Sequence, residues 1–261
     1  MASRCRHRDL AWLLVVAGAA LPTVHADEMP VCPSAISTAA APASGSNNVR
    51  LVTGAPYSAL GTSRTTMTLP DGSRVVRQNL IRQWRDSDGR TRAEISLSTI
   101  GGTPPVEVNT TVTVIDDPSA RERYVLQPGD RVAVTTPIVP CRLADEPDVS
   151  VGPPRPANLP IKMSPAVKLG ERKLDGETVA GRRIVATIPA GAIGNSQPIQ
   201  MSAEQWYGKD LQVVVEATYR DPRTGETRYK LSDIDRAEPD AKLFKVPDNY
   251  RKETPPTRPR K

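Results

Sequence analysis

Residues 211–234, LQVVVEATYRDPRTGETRYKLSDI, decide the fold. Leu211, Val213, Val215, Ala217 and Tyr219 recur at every second position, and Gln212, Glu216, Thr218 and Arg220 fill the places between them. Val214 is the one exception. After the turn residues Asp221-Pro222-Arg223-Thr224-Gly225, Thr227, Tyr229 and Leu231 alternate with Glu226, Arg228, Lys230 and Ser232. Period two over two runs joined by turn chemistry is a β-hairpin with one buried and one wet face. The rest of the chain repeats this unit.

Working outward, 62–69 is rich in β-branched residues and ends at Pro70-Asp71-Gly72-Ser73. Proline presets φ there and glycine accepts positive φ. A long strand over 75–85 carries Leu80, Ile81 and Trp84, and Asp86-Ser87-Asp88-Gly89 turns the chain into an alternating run at 91–97. Another strand is expected at 106–114, and a hairpin at 123–134 around Gln127-Pro128-Gly129-Asp130. Ile184, Ala186 and Ile188 alternate, as do Ile199, Met201 and Ala203, with the loop 189–195 between. Phe244, the only phenylalanine, is expected as a core anchor. About ten short strands, with no helical period sustained over three turns, predict a mainly β fold with few short helices.

Residues 1–26 read as a signal peptide: Arg4, Arg6 and Arg8, an apolar run over 10–21, and the cleavage pattern Val24-His25-Ala26. That run is short for a membrane span, so no transmembrane segment is expected in the mature chain. An uncleaved anchor is the alternative. Losing three bases and one acid (Asp9) takes the net charge from +6 to +4. This mild excess points to no nucleic-acid partner. Residues 27–56 read as a flexible Ala/Ser/Pro-rich segment, 57–250 as the β domain, and 251–261 as a basic disordered tail. Six prolines between Asp145 and Pro165 allow neither helix nor central strand there, which leaves a connection at 145–165 or a domain boundary.

Cys32 and Cys141 remain once Cys5 leaves with the signal. One pair in an oxidising compartment is a disulfide by default, and it closes a loop of more than 100 residues. A redox-active pair has no Cys-x-x-Cys arrangement to support it. His7 and His25 are the only histidines, and both precede the expected cleavage. The mature chain therefore lacks Ser-His-Asp and Cys-His catalysis and histidine-bound zinc.

Leu169-Gly170, Asp175-Gly176 and Val179-Ala180-Gly181-Arg182, then Trp206 and the 211–234 hairpin, carry a family likeness. In this order the chain resembles the periplasmic lipoprotein-carrier superfamily, which includes the lipoprotein localisation factors and the sigma-factor regulatory sensor domains. The likeness is loose over 57–250 and better over 169–250. Arg85-Asp86-Ser87, Gly89-Arg90-Thr91-Arg92, Ile188-Pro189-Ala190-Gly191, Gly194-Asn195 and Asp221-Pro222-Arg223-Thr224-Gly225-Glu226 also resemble the order in an uncharacterised family of secreted bacterial proteins. The carrier likeness implies a half-barrel, a curved antiparallel sheet whose concave face holds apolar cargo under helices or loops. This chain has no clear lid helices.

No Gly-x-Ser-x-Gly and no phosphate-binding glycine loop is present. Asp233 and Asp235 would share one strand face, and a solvated strand end suits them better than a cation site. The expected reading is a periplasmic or secreted binding protein, not an enzyme and without cofactor or metal. Its partner would be a lipid or lipidated protein on the apolar face. Candidate ligand-binding residues are Ile184, Ile188, Met201, Trp206, Leu211, Val213, Val215, Tyr219 and Tyr229. An ordinary closed core is the alternative for that face. Two further functional readings are an envelope protein-interaction or sensor domain, and a hydrolase using carboxylates alone.

Overall fold

The computed structural model describes residues 30, 32, 47–100, 110–142 and 160–255. The expected signal sequence, most of the linker and most of the proline-rich connection lie outside the described residues.

A short strand β1 (Asn48–Arg50) comes first, inside the segment read as linker. Six strands follow in an antiparallel meander: β2 (Tyr57–Thr68), β3 (Arg74–Arg85), β4 (Thr91–Ile100), β5 (Thr110–Asp117), β6 (Glu122–Gln127) and β7 (Val132–Pro137). Then come β8 (Val139–Cys141) and β9 (Lys162–Met163). A second meander is made by β10 (Val167–Leu174), β11 (Glu177–Ile188), β12 (Ile199–Gly208), β13 (Val213–Asp221) and β14 (Gly225–Asp235). A 3-10 turn at Ala241–Phe244 leads to β15 (Arg251–Glu253).

The turns form where the sequence supplies their chemistry. At the β3–β4 turn, Asp86 Oδ1 accepts the Arg90 backbone N–H at 2.8 Å, and Gly89 takes φ 84°. A side chain at Gly89 would meet the Val52 carbonyl oxygen at 2.9 Å, so glycine is required twice over.

The two meanders are one sheet. Strand β14 pairs antiparallel with β2 (Tyr229 opposite Ser63, Leu231 opposite Gly61), so that among the described residues 12 strands run in order from β10 at one edge to β15 at the other, and β9, paired to β11 off that path, makes a 13-stranded sheet. The sheet therefore runs unbroken through both halves of the chain. It is curved and unclosed, as the half-barrel expectation required. Strands β1 and β8 form a separate parallel pair. Cys32 and Cys141 are joined there, with Cα atoms 4.9 Å apart.

Cross-strand register places Tyr57, Ala59, Ile81, Ala217, Tyr229 and Leu231 on one face, where they join a buried cluster with Val179, Trp206, Leu211 and Val215. The sheet curls toward this face at one end. Arg85 of β3 donates to the Leu211 carbonyl at 2.5 Å, although β3 and β13 are three strand spacings apart, about 14 Å on a flat sheet.

Ile115, Tyr124, Leu126 and Ala133 form another cluster on the opposite side, covered by Val246 and Tyr250. The first residues of the segment read as a basic tail, 251–253, pair with β7 beside this cluster. Arg251 donates its backbone N–H to Arg131 O at 2.8 Å, and Lys252 lies 4.6 Å from the centre of the Tyr124 ring. Phe244 is buried as expected, with the Arg90 guanidinium 5.5 Å from its ring centre. Among the described residues, no helix is long and apolar enough to cross a membrane.

Candidate functional site

The apolar face carries a polar seam. The Tyr57 hydroxyl donates to Gln83 Oε1 at 3.2 Å, and Gln83 Nε2 donates to the Tyr229 hydroxyl at 2.6 Å. Gly61 makes room for them: a Cβ there would lie 2.9 Å from Gln83 Nε2 and 3.1 Å from Tyr229. Burial pushes both phenols above the usual tyrosine range. At neutral pH the seam is a chain of uncharged hydrogen-bonding groups. Arg85 closes the curled end. It stacks 4.8 Å from the Tyr57 ring centre and donates to the Ala55 carbonyl at 2.7 and 2.9 Å. Burial lowers its pKa from the usual arginine value.

Further along the sheet a second buried cluster contains Ile184, Ala186, Ile188, Met201, Ala203 and Tyr219. The partly buried hydrophobics packed on it are Ile161, Ala192 and Ile199. At its rim Tyr219 donates to Asp221 Oδ2 at 3.1 Å, and Arg223 holds both oxygens of that carboxylate at 2.7 and 3.0 Å. Burial and the neighbouring Asp221 push the Tyr219 hydroxyl up to about 12. Burial alone would raise Asp221, but the Arg223 hydrogen bonds and charge outweigh it and hold the carboxyl below its ordinary range. A groove of about 480 Å³ opens beside this rim, lined in part by Met67, Met201, Gln200 and Arg223.

The nine expected ligand-binding residues fall into two groups. Trp206, Leu211, Val215 and Tyr229 are buried in the first cluster, with Val213 half-buried against it; Ile184, Ile188, Met201 and Tyr219 are buried in the second. Trp206 stands apart from a simple alternating face. It pairs with Gly181 and Glu216, whereas Gln205 pairs with Ala217. Burial on β12 changes parity here, from Met201, Ala203 and Gln205 to Trp206 and Gly208. The switch coincides with a bulge against β13, where Trp206 faces Glu216 and Tyr207 faces Val214. The Val214 exception in the sequence marks that bulge.

Asp233 and Asp235 are both exposed. Among the described residues, no cluster of three metal-ligating side chains is found. Sequence reading missed Gln83, Arg85 and the Asp221–Arg223 pair. Gln83 and Arg85 sit at the odd positions of β3 together with Ile81, so period two places them on the apolar face, a signal that was available.

No known family profile matches the chain, and no curated protein does. Several solved structures are similar. MucB in complex with MucA(peri) is similar at 11% identity and TM-score 0.35, over 75% of this chain and 55% of that one. LprF from Mycobacterium bovis is similar at 11% identity and TM-score 0.32, over 76% and 90%. A LolA superfamily protein from Nitrosomonas europaea is similar at 13% identity and TM-score 0.29, over 75% and 92%. The chain thus spans little more than half of the MucB chain. At TM-scores of this size no ligand or activity is carried over.

Proposed function

We propose that this chain is a non-catalytic binding protein of the bacterial periplasm or cell exterior, taking an apolar or lipidated ligand against the second cluster of the curved sheet. The observation that carries this is how that cluster is covered. Six buried apolar side chains of β11, β12 and β13 have, as their described apolar cover, one residue before β9, one loop residue and one strand end. The loop 189–195 is largely self-contained: Gly191 bonds Asn195, and the Asn195 amide bonds Pro189 and Gln197. Such a loop can lift without breaking a sheet ladder. Each methylene then buried under it contributes about 0.8 kcal/mol. The Cys32–Cys141 disulfide suits an oxidising compartment.

The test is native mass spectrometry of the purified protein, followed by titration of the delipidated protein with cis-parinaric acid. Co-purifying lipid and saturable uptake are expected, with uptake lost in Ala203→Trp, which fills the cluster, while the fold is retained by circular dichroism. A protein that carries no lipid and takes up no probe overturns the reading. A second reading, an envelope protein-interaction domain, is favoured by exposed Val167 and Met163, 57% and 38% accessible, on edge strands β10 and β9. Its mark would be a protein captured from envelope extracts without lipid.

A further inference from the structure

The opposite face of the sheet carries a different site. Register pairs Leu60 with Arg82, Arg82 with Glu94, and Trp84 with both Ser58 and Arg92. These side chains therefore point away from the face that holds Tyr57, Ile81 and Tyr229. Of these, Ser58, Leu60, Arg82, Trp84 and Glu94 line a groove of about 460 Å³ with Leu80 and Asp233. That is within the range of small-molecule sites, about 300–1,000 Å³.

Three features make this a built site. Trp84 is only half-buried, and its indole N–H has no partner among the described residues; Trp206, by contrast, is buried and donates to Glu204 at 3.0 Å. Arg82 is exposed and forms no ion pair among the described residues, although Glu94 and Asp233 line the same groove. Glu94 is already held by Arg92 at 2.6 Å. Asp233 sits at φ 53°, where the pairing of β14 with β2 shifts between Ser232 and Asp235. A bulge of this kind re-aims a side chain, and a left-handed non-glycine residue costs about 1–2 kcal/mol. The neighbouring Ile234 N–H, bonded to Asp175 Oδ2 at 3.0 Å, fixes the kink.

The chemistry of the groove selects its ligand. With Glu94 committed to Arg92, the free charges are Arg82 and Asp233, which cancel. An anion meets Asp233, and an acyl chain would leave both charges unpaired. A pyranose ring answers all of the groove: its C–H face lies on the indole and the leucines, and its hydroxyl rim meets the guanidinium and carboxylate. Ser96 and Thr111, whose hydroxyls are 3.2 Å apart, extend the polar wall.

We propose that this groove binds a short neutral oligosaccharide, with Trp84 as its platform and Arg82 and Asp233 as its hydrogen-bonding groups. Without the expected signal segment and its Trp12, Trp84 and Trp206 are the only tryptophans, and Trp206 is buried, so intrinsic fluorescence reports on Trp84. The disulfide-bonded mature chain is titrated with chitotetraose, with maltotetraose and with phosphatidylglycerol vesicles. One tetrasaccharide should change the emission saturably. Arg82→Ala and Asp233→Asn should each weaken it by about tenfold or more, the loss of one charged hydrogen bond. Asn tolerates the left-handed backbone, so that variant keeps the fold. Trp84→Phe should abolish the spectral response and weaken calorimetric binding, while Ala203→Trp leaves calorimetric sugar binding intact. The proposal is overturned if neither sugar binds at millimolar concentration, if only vesicles bind, or if Arg82→Ala and Asp233→Asn bind as the parent does.

Discussion

Trp206 shows what a single residue's reading requires. Its ring lies over Gly181, where a Cβ would come within 2.6–2.8 Å of ring carbons, and the Arg172 guanidinium covers it at 3.7 Å from the ring centre. Arg172 is held in turn by Glu216 at 3.0 Å. The tryptophan is thus packed between a glycine and a cation, and it serves the core. Trp206→Ala should cost about 3–5 kcal/mol, a large-to-small loss in a filled site. Gly181→Ala should cost about 1–3 kcal/mol by overpacking, and Trp206→Leu on that background should recover part of it. Urea unfolding of the single and double variants checks this; additive effects would mean that the two positions do not share one site. From the sequence alone, a tryptophan beside an apolar strand reads as part of that strand's apolar face. Its glycine partner, 25 positions earlier, is fixed by the β11–β12 register, which no local pattern encodes.

Among elements, the β13–β14 hairpin was the most legible, because period two and the Asp221-Pro222 to Gly225 turn are both local signals. What it joins was not legible. Its return strand pairs with β2, putting Tyr229 opposite Ser63, and only the folded topology brings them together. Gly225, at φ 93°, sits directly against the Thr66 backbone, so the hairpin's glycine also seats the seam between the two meanders. The turn has an electrostatic lock. Asp221 is 3% exposed, and its carboxyl lies below the usual range in the fold. A depressed carboxyl contributes stability above its unfolded pKa, near 3.8, and loses it as pH falls through the folded value. Asp221→Asn should therefore lower stability at pH 7, and the gap to the parent should narrow steadily below about pH 4. Urea midpoints measured from pH 7 to pH 2 test this, and a gap independent of pH would contradict the assigned charge.

At the scale of the whole molecule, the chain is one large sheet with a small parallel pair attached to it. Strands β1 and β8 share no ladder with the 13-stranded sheet. They are held by the Cys32–Cys141 bond and by Arg50, which donates to the Gln212 carbonyl at 2.7 Å and the Tyr207 hydroxyl at 2.6 Å. Arg50 thereby ties this pair to the turn that plugs the curled end of the sheet. The disulfide spans 109 positions, for which loop-closure theory gives about 4–5 kcal/mol if the whole chain unfolds as a unit. The separate ladder argues for a different response. Reduction should first release β1 and β8 as a local opening, because no ladder joins them to the sheet and what holds them there is local: the Arg50 contacts, the Ile138 N–H to Arg121 O at 2.9 Å, and the Gly54 N–H to Ser87 O at 2.9 Å. Native-state hydrogen exchange of the reduced protein should then show fast exchange at Arg50 and Leu51, whose region loses its anchor. The amides of β11–β14 should stay protected close to the global limit. Equal acceleration in both places would show that the disulfide stabilises the sheet as a whole. Protection unchanged at Leu51 would show that the noncovalent contacts suffice without it.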